Sequence, residues 1–94
     1  MTEISEKIIE ILSDLSGIDK KQITLESDLE QDLGLDSLSL TEAAIKIEDL
    51  YDLGILDLNE IYPLSLDKMI GNQDQKPVYK LTDYVQKQID KKVA

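Results

Sequence analysis

One stretch of this 94-residue chain brings residues of chemical use together: Asp32-Leu33-Gly34-Leu35-Asp36-Ser37-Leu38. A single hydroxyl, Ser37, sits where a polar connection meets the best helical pattern in the sequence. Such a hydroxyl can be a nucleophile, an attachment point for an anionic group, or a plain helix cap. The first role needs a general base, and the chain holds no histidine and no cysteine. Serine–histidine catalysis is therefore excluded within the chain, as is a cysteine nucleophile. An anion carried on Ser37 would suit a helix N-terminus. A cap is the commonest reason for serine at this place, and on local pattern alone it is the simpler reading.

Other sites fail on inspection. Asp28, Glu30 and Asp32 alternate as the first three ligands of a calcium loop do. That loop then needs glycine where Leu33 stands and glutamate where Ser39 stands. None of the four glycines opens a phosphate-cradling loop followed by lysine and serine or threonine. The many carboxylates read as a solvated face rather than an acid–base pair. No catalytic residue and no metal ligand is assigned.

The formal net charge is −10, with 20 acids against 10 lysines. Residues 26–60 hold eleven of those acids and only Lys46 in return, so they carry the whole imbalance. This disfavours nucleic-acid binding and favours a surface that steers basic partners. No apolar run approaches the roughly 20 residues of a membrane span. The N-terminus lacks a signal peptide's pattern, so the cytoplasm is the expected location.

The elements that must position Ser37 are helical. Ile4, Ile8, Ile11, Leu12 and Leu15 recur at helical spacing over 3–15, with Ile9 beside them, Thr2 as cap and Gly17 as terminator. Residues 17–36 form a long connection, pinned to the core by Ile23, Leu25, Leu29 and Leu33; long loops in small domains tend to be functional. A second helix is expected over 37–53, with Ser37 as N-cap or Ser39 and Glu42 as a competing capping box, and Gly54 closing it. Its inner stripe is Leu40, Ala43, Ala44, Ile47, Leu50 and Tyr51. A narrower stripe of Leu38, Thr41 and Ile45 is bordered by Glu42, Glu48, Asp49 and Asp52, as a contact surface would be. Short helices are expected near 57–62 and 66–70, the second capped by Ser65 and ended by Gly71, with a polar turn from Asn72 to Pro77. A last helix over 80–92 turns Leu81, Val85 and Ile89 inward, with Lys87, Lys91 and Lys92 at its negative end. No strand pattern emerges. The fold class is all-α: a single domain, 1–94, built as a small four-helix bundle of three main helices plus short segments in an extended 55–79 connection.

Leu33-Gly34-x-Asp36-Ser37-Leu38 opening an acidic helix, with Glu42, Ile47, Glu48 and Tyr51 downstream, resembles the acyl carrier proteins. The likeness runs through nearly the whole chain in helix order and is poorest over 55–79, which is longer than the family generally needs. It implies that a phosphopantetheinyl transferase attaches 4′-phosphopantetheine from coenzyme A to Ser37, with Asp36 serving transferase recognition. The arm's thiol would then hold acyl groups as thioesters, which fits a chain with no thiol of its own. The resemblance further implies that Leu38, Thr41, Glu42, Ile45, Glu48, Asp49 and Asp52 meet basic patches on acyl-loading and acyl-processing enzymes. Leu40, Ala43, Ala44, Ile47 and Tyr51 would line the space for the acyl chain. Such a carrier is a monomer that serves other enzymes in fatty-acid, polyketide or related biosynthesis. An aminoacyl carrier and an acidic helical adaptor that carries nothing stand as the rival readings.

Overall fold

The computed structural model describes residues 2–62 and 75–93. Four helices account for most of them: α1 (Glu3–Ser16), α2 (Ser37–Tyr51), a single-turn α3 (Leu58–Ile61) and α4 (Val78–Val93). A 3-10 turn at Lys20–Gln22 follows α1. Among the described residues the sole β pairing is an isolated bridge between Asp28 and Pro77. The all-α bundle is as expected. The expected helix over 66–70 and most of the turn at 72–77 lie outside the described residues.

α1 starts where Thr2 accepts a hydrogen bond from the Ser5 N–H at 3.1 Å. It ends at Gly17, whose φ of 78° suits a residue without a Cβ. Its apolar face, Ile8, Ile9 and Leu12, is buried against α2 and α4. α4 begins two residues earlier than its periodicity suggests, and Val78, Leu81 and Val85 are buried together. Removing one of these fully buried aliphatic side chains would cost about 2–5 kcal/mol.

The boundaries of α2 correct three expectations. Asp36, not Ser37, is the N-cap: its Oδ1 accepts the Ser39 N–H at 2.8 Å, which makes Ser37 the first helical residue. Ser39 is thus the donor to a cap rather than a cap itself. At the far end Asp52, not Gly54, takes the left-handed conformation, with φ 53°. That conformation is supported by Lys92, whose Nζ donates to the Tyr51 and Asp52 carbonyls at 3.1 and 2.8 Å. Leu50, expected on the buried face, is half exposed; it lies in the last turn, at the rim of the buried arc.

The long connection is held by backbone pairing rather than by apolar pins alone. Ile23, Leu29 and Leu33 are buried, as is Leu35, which sequence reading passed over. Asp28 sits at the centre, only 5% exposed. Its carboxylate accepts N–H groups from Glu30 and Gln31 at 2.9 Å and from Lys76 at 2.7 Å. Its own N–H donates to Asp32 Oδ2 at 2.7 Å. The chain then zips onto the start of α4, with Leu29 N–H on the Lys76 carbonyl, Val78 N–H on Ser27 and Tyr79 N–H on Leu25. Tyr62, just after α3, donates its hydroxyl to the Pro77 carbonyl at 2.7 Å.

Burial alone would raise the Asp28 pKa; the three N–H donors and the Lys76 charge outweigh it, and the net shift is downward. A depressed folded value means a contribution present above the unfolded pKa of about 3.9 and lost as pH falls through the folded value. Asp28→Asn imitates the neutral carboxyl. It should destabilise the fold by roughly 2–3 kcal/mol at pH 7, and the gap to wild type should narrow as pH falls through the depressed folded value. Urea unfolding at pH 7 and at a series of acid pH values measures it; a gap that stays constant in acid contradicts the clamp.

Candidate functional site

α2 presents three different faces. At roughly 100° per residue, Leu40, Ala43 and Ile47 share one arc and are buried in the core. About a quarter turn away, Ser37, Leu40, Thr41, Ala44, Ile45 and Glu48 form a second arc, at i, i+3, i+4, i+7, i+8 and i+11. This arc is one wall of an open groove of about 730 Å³, within the usual range for small-molecule sites. Residues 55–59 and Tyr62 make the opposite wall, and Glu30 and Lys76 complete the lining. A third arc faces solvent: Leu38 is 69% exposed and Ile45, on the boundary with the groove, 50%. Glu42 and Asp49 are exposed beside them.

The residues expected to line an acyl space are therefore divided. Leu40 and Ala44 reach the groove, whereas Ala43, Ile47 and Tyr51 are not among its lining. Ala43 and Ile47 point into the core, and Tyr51 lies about 21 Å along the axis from Ser37. Of the expected contact residues, Thr41, Ile45 and Glu48 also line the groove. Glu48 is half-buried, and its Oε2 accepts the Leu56 N–H at 2.8 Å. It fastens the far wall to α2 and is a poor candidate for a free docking charge. Asp52 remains exposed, with Lys92 Nζ 3.2 Å from its carboxylate. Sequence reading left the 55–79 segment as either a stabiliser of the bundle or a cover for cargo and assigned none of its residues to the site, Ile55 included, which is 90% exposed. The apolar residues Ile55, Leu56 and Leu58 showed that this segment packs, but nothing local showed against what. Glu30 and Lys76 are 46 residues apart, and no signal in the chain links them.

Ser37 is exposed and is the first residue of α2 and of its wall of the groove. Its carbonyl accepts the Thr41 hydroxyl at 2.9 Å, so Thr41 closes the first turn. The neighbouring Asp36 carboxylate is held below its ordinary pKa by the Ser39 N–H and then by the Ser39 hydroxyl, so it is ionised at neutral pH. Among the described residues no group of histidine, cysteine or carboxylates is placed to hold a metal ion.

Residues 6–62 match the family model for the phosphopantetheine attachment site. A relative from Phytoplasma mali (strain AT) named acyl carrier protein is 36% identical over 87 residues, which covers 93% of this chain and 89% of that protein. The chain belongs to the acyl carrier protein family. A second acyl carrier protein, from Amoebophilus asiaticus (strain 5a2), is also 36% identical, over 58% of this chain and 69% of its own length. An acyl carrier protein is a substrate carrier rather than a catalyst, and its cofactor is phosphopantetheine. The groove and the serine on its wall suit such a carrier: the hydroxyl is accessible, and apolar walls begin within one helical turn of it.

Asp36 supplies both a cap and a negative charge, and substitution can part the two. Asparagine is as good an N-cap as aspartate, whereas alanine is not. Asp36→Asn should melt near the wild-type temperature at pH 7 and Asp36→Ala clearly below it. Equal losses in thermal unfolding would mean that the charge, not the cap, holds the helix start.

Proposed function

We propose that Ser37 is the attachment residue and that the arm it carries holds acyl intermediates as thioesters for fatty-acid, polyketide or related biosynthesis in the cytoplasm. The observation that supports this most directly is the placement of an exposed hydroxyl on the first turn of α2, at the mouth of a groove with apolar walls. A phosphopantetheinyl transferase joins Ser37 Oγ to the phosphate of coenzyme A that bears the pantetheine. The adenosine bisphosphate half leaves, and the serine proton passes to the transferase. Asp36 stands beside the hydroxyl and is the residue proposed to be read by that enzyme.

The groove is the proposed resting place for the acyl chain, between Leu40, Ala44 and Ile45 on one wall and Ile55, Leu56, Leu58 and Tyr62 on the other. Its apolar walls favour acyl over aminoacyl cargo. The solvent arc of α2 is the proposed docking face. Leu38, Ile45 and Ile55 supply exposed apolar contact, and Glu42, Asp49 and Asp52 surround it with negative charge. Exposed ion pairs contribute roughly 0–1 kcal/mol each. Together they speed encounter more than they lengthen residence, as suits a carrier that must depart.

The direct test is incubation of the pure protein with coenzyme A, magnesium and a broad-range transferase, followed by intact mass. One phosphopantetheine increment is expected on wild type and none on Ser37→Ala. An unmodified wild type under active conditions, or a modified Ser37→Ala, overturns the assignment. For the docking face, association with a basic acyl-processing enzyme should slow as salt rises. Association that ignores salt contradicts it.

A further inference from the structure

The region around Ser37 is anionic, and the added phosphodiester brings one more negative charge. A helix N-terminus would ordinarily stabilise that charge through its free N–H groups. Here the Asp36 carboxylate occupies the Ser39 N–H and sets its own negative charge beside the serine. Of the carboxylates that line the groove, Glu48 and Asp57 are already bonded to backbone N–H groups, at 2.8 and 2.9 Å. With the Ser39 N–H taken and this much negative charge nearby, a cationic side chain would be a favourable partner for the phosphodiester.

Among the described residues that line the groove with Ser37, one is a cation: Lys76. It arrives from the far end of the chain, on the strand of backbone that the Asp28 carboxylate grips through the Lys76 N–H. The Lys76 side chain is 13% exposed, and its Nζ sits 2.6 Å from Glu30 Oε1, whose own side chain is 42% exposed. The lysine is thus fixed at its backbone and sheltered along its stem, while its partner is the more solvated member of the pair. A carboxylate with that much access to water can give up a lysine cheaply, because solvent replaces the lost bond.

We infer that Lys76 is the counter-charge for the phosphodiester on Ser37, exchanging its Glu30 partner for the phosphate once the arm is attached. The inference rests on Ser37 being the attachment residue. Lys76 is a positioning residue in this role. It holds the root of the arm at the groove mouth, so that the thioester end enters between α2 and the 55–62 wall instead of swinging away from the acidic surface. A lysine ammonium with a phosphate oxygen is a charge-assisted pair. Glu30 competes for the same ammonium, so the exchange is set by the difference between two such pairs.

The test compares apo and holo forms of wild type, Lys76→Met, Lys76→Arg and Glu30→Gln, each checked for fold by its amide NMR spectrum and for loading by intact mass. Two signals are read. The first is the 31P resonance of the holo form; the second is the lysine Nζ signal that disappears in Lys76→Met. In wild type, loading should move the Nζ signal, and the 31P resonance should differ from that of the same protein unfolded in urea. In Lys76→Met the 31P resonance should fall back toward the unfolded value, with Lys76→Arg keeping most of the difference. Glu30→Gln removes the competitor and should enlarge it. Added salt should shrink the difference in wild type. A loaded Lys76→Met with the wild-type 31P position, or an Nζ signal indifferent to loading, overturns the inference and leaves the Ser37 assignment intact. A wild type that takes no increment overturns both. Should Lys76→Met lose its fold, Lys76→Arg, which also lacks the lysine Nζ, assigns that signal, and Glu30→Gln and the wild-type Nζ signal decide by the same criteria.

Discussion

A single buried carboxylate closes the structure on which the site depends. Asp28 accepts three backbone N–H groups, two from its own loop and one from Lys76. A carboxylate can satisfy several donors in so small a space because it carries only acceptors. Without it, the connection from α1 to α2 would have to be held by its aliphatic contacts and a few backbone pairs. With it, the loop is folded back on the start of α4, and Leu29, Leu33 and Leu35 are drawn into the core. The position of Ser37 follows, since the loop that ends at Asp36 is anchored at its middle. Lys76 and Glu30 reach the groove for the same reason.

α2 then has to serve three surroundings at once, which explains its composition. A helix on a small bundle normally buries one stripe and solvates the rest. Here the buried arc is narrow and contains Ala43 and Ala44, small enough to let the neighbouring helices and the groove lie side by side. The solvent arc retains leucine and isoleucine where polar residues would be expected, at Leu38 and Ile45. Their exposure forgoes burial energy of roughly 1.5–3 kcal/mol each, which is sustainable only because the remaining core is completed from the connection and from α4. The acids around those side chains place net negative charge about the exposed apolar surface, which opposes close approach of like-charged surfaces.

What could be read from the chain divides along the range of the interactions. Helix periodicity, the Thr2 cap and the Gly17 terminus are local, and α1 was legible to within a residue. The start of α2 was legible as a place but not in its capping chemistry: Asp36 and Ser37 are both good N-caps, and only the Ser39 N–H distinguishes them. The end of α2 was misread because Gly54 is the usual signal for a left-handed residue, whereas Asp52 adopts that conformation under the hold of Lys92, 40 residues away. Asp28 and Asp32, set aside as failed metal ligands, turn out to be loop ties. The far wall of the groove was illegible for the same reason: the bonds from Glu48 to Leu56 and from Tyr62 to Pro77 join segments whose local sequences contain no sign of each other. Thus the elements and the serine were readable, and the groove was not, since a groove is a relation between elements.

The two ends of α2, one tied locally and one by a residue from the far end of the chain, bear on how a carrier presents this helix. Asp36 lies at the positive end of the helix dipole and Lys92 at the negative end, each with the sign the dipole favours. Both also close backbone groups that would otherwise fray. A helix fixed at both termini presents its solvent arc in one conformation, and in the docking proposed for that arc little binding energy would be spent on ordering. A partner could then recognise a modest apolar patch with weak surrounding charges and still release it quickly. A frayed α2 would need a larger interface to reach the same affinity, and a larger interface would be slower to leave. The rigidity of the helix and the weakness of its contacts are therefore two parts of one requirement. The same fixed first turn limits where a group on Ser37 can go, so on the proposed attachment the direction of an arm would be set by the charges around its root, above all by the anionic cap and by Lys76, the one lysine among the described residues that line the groove.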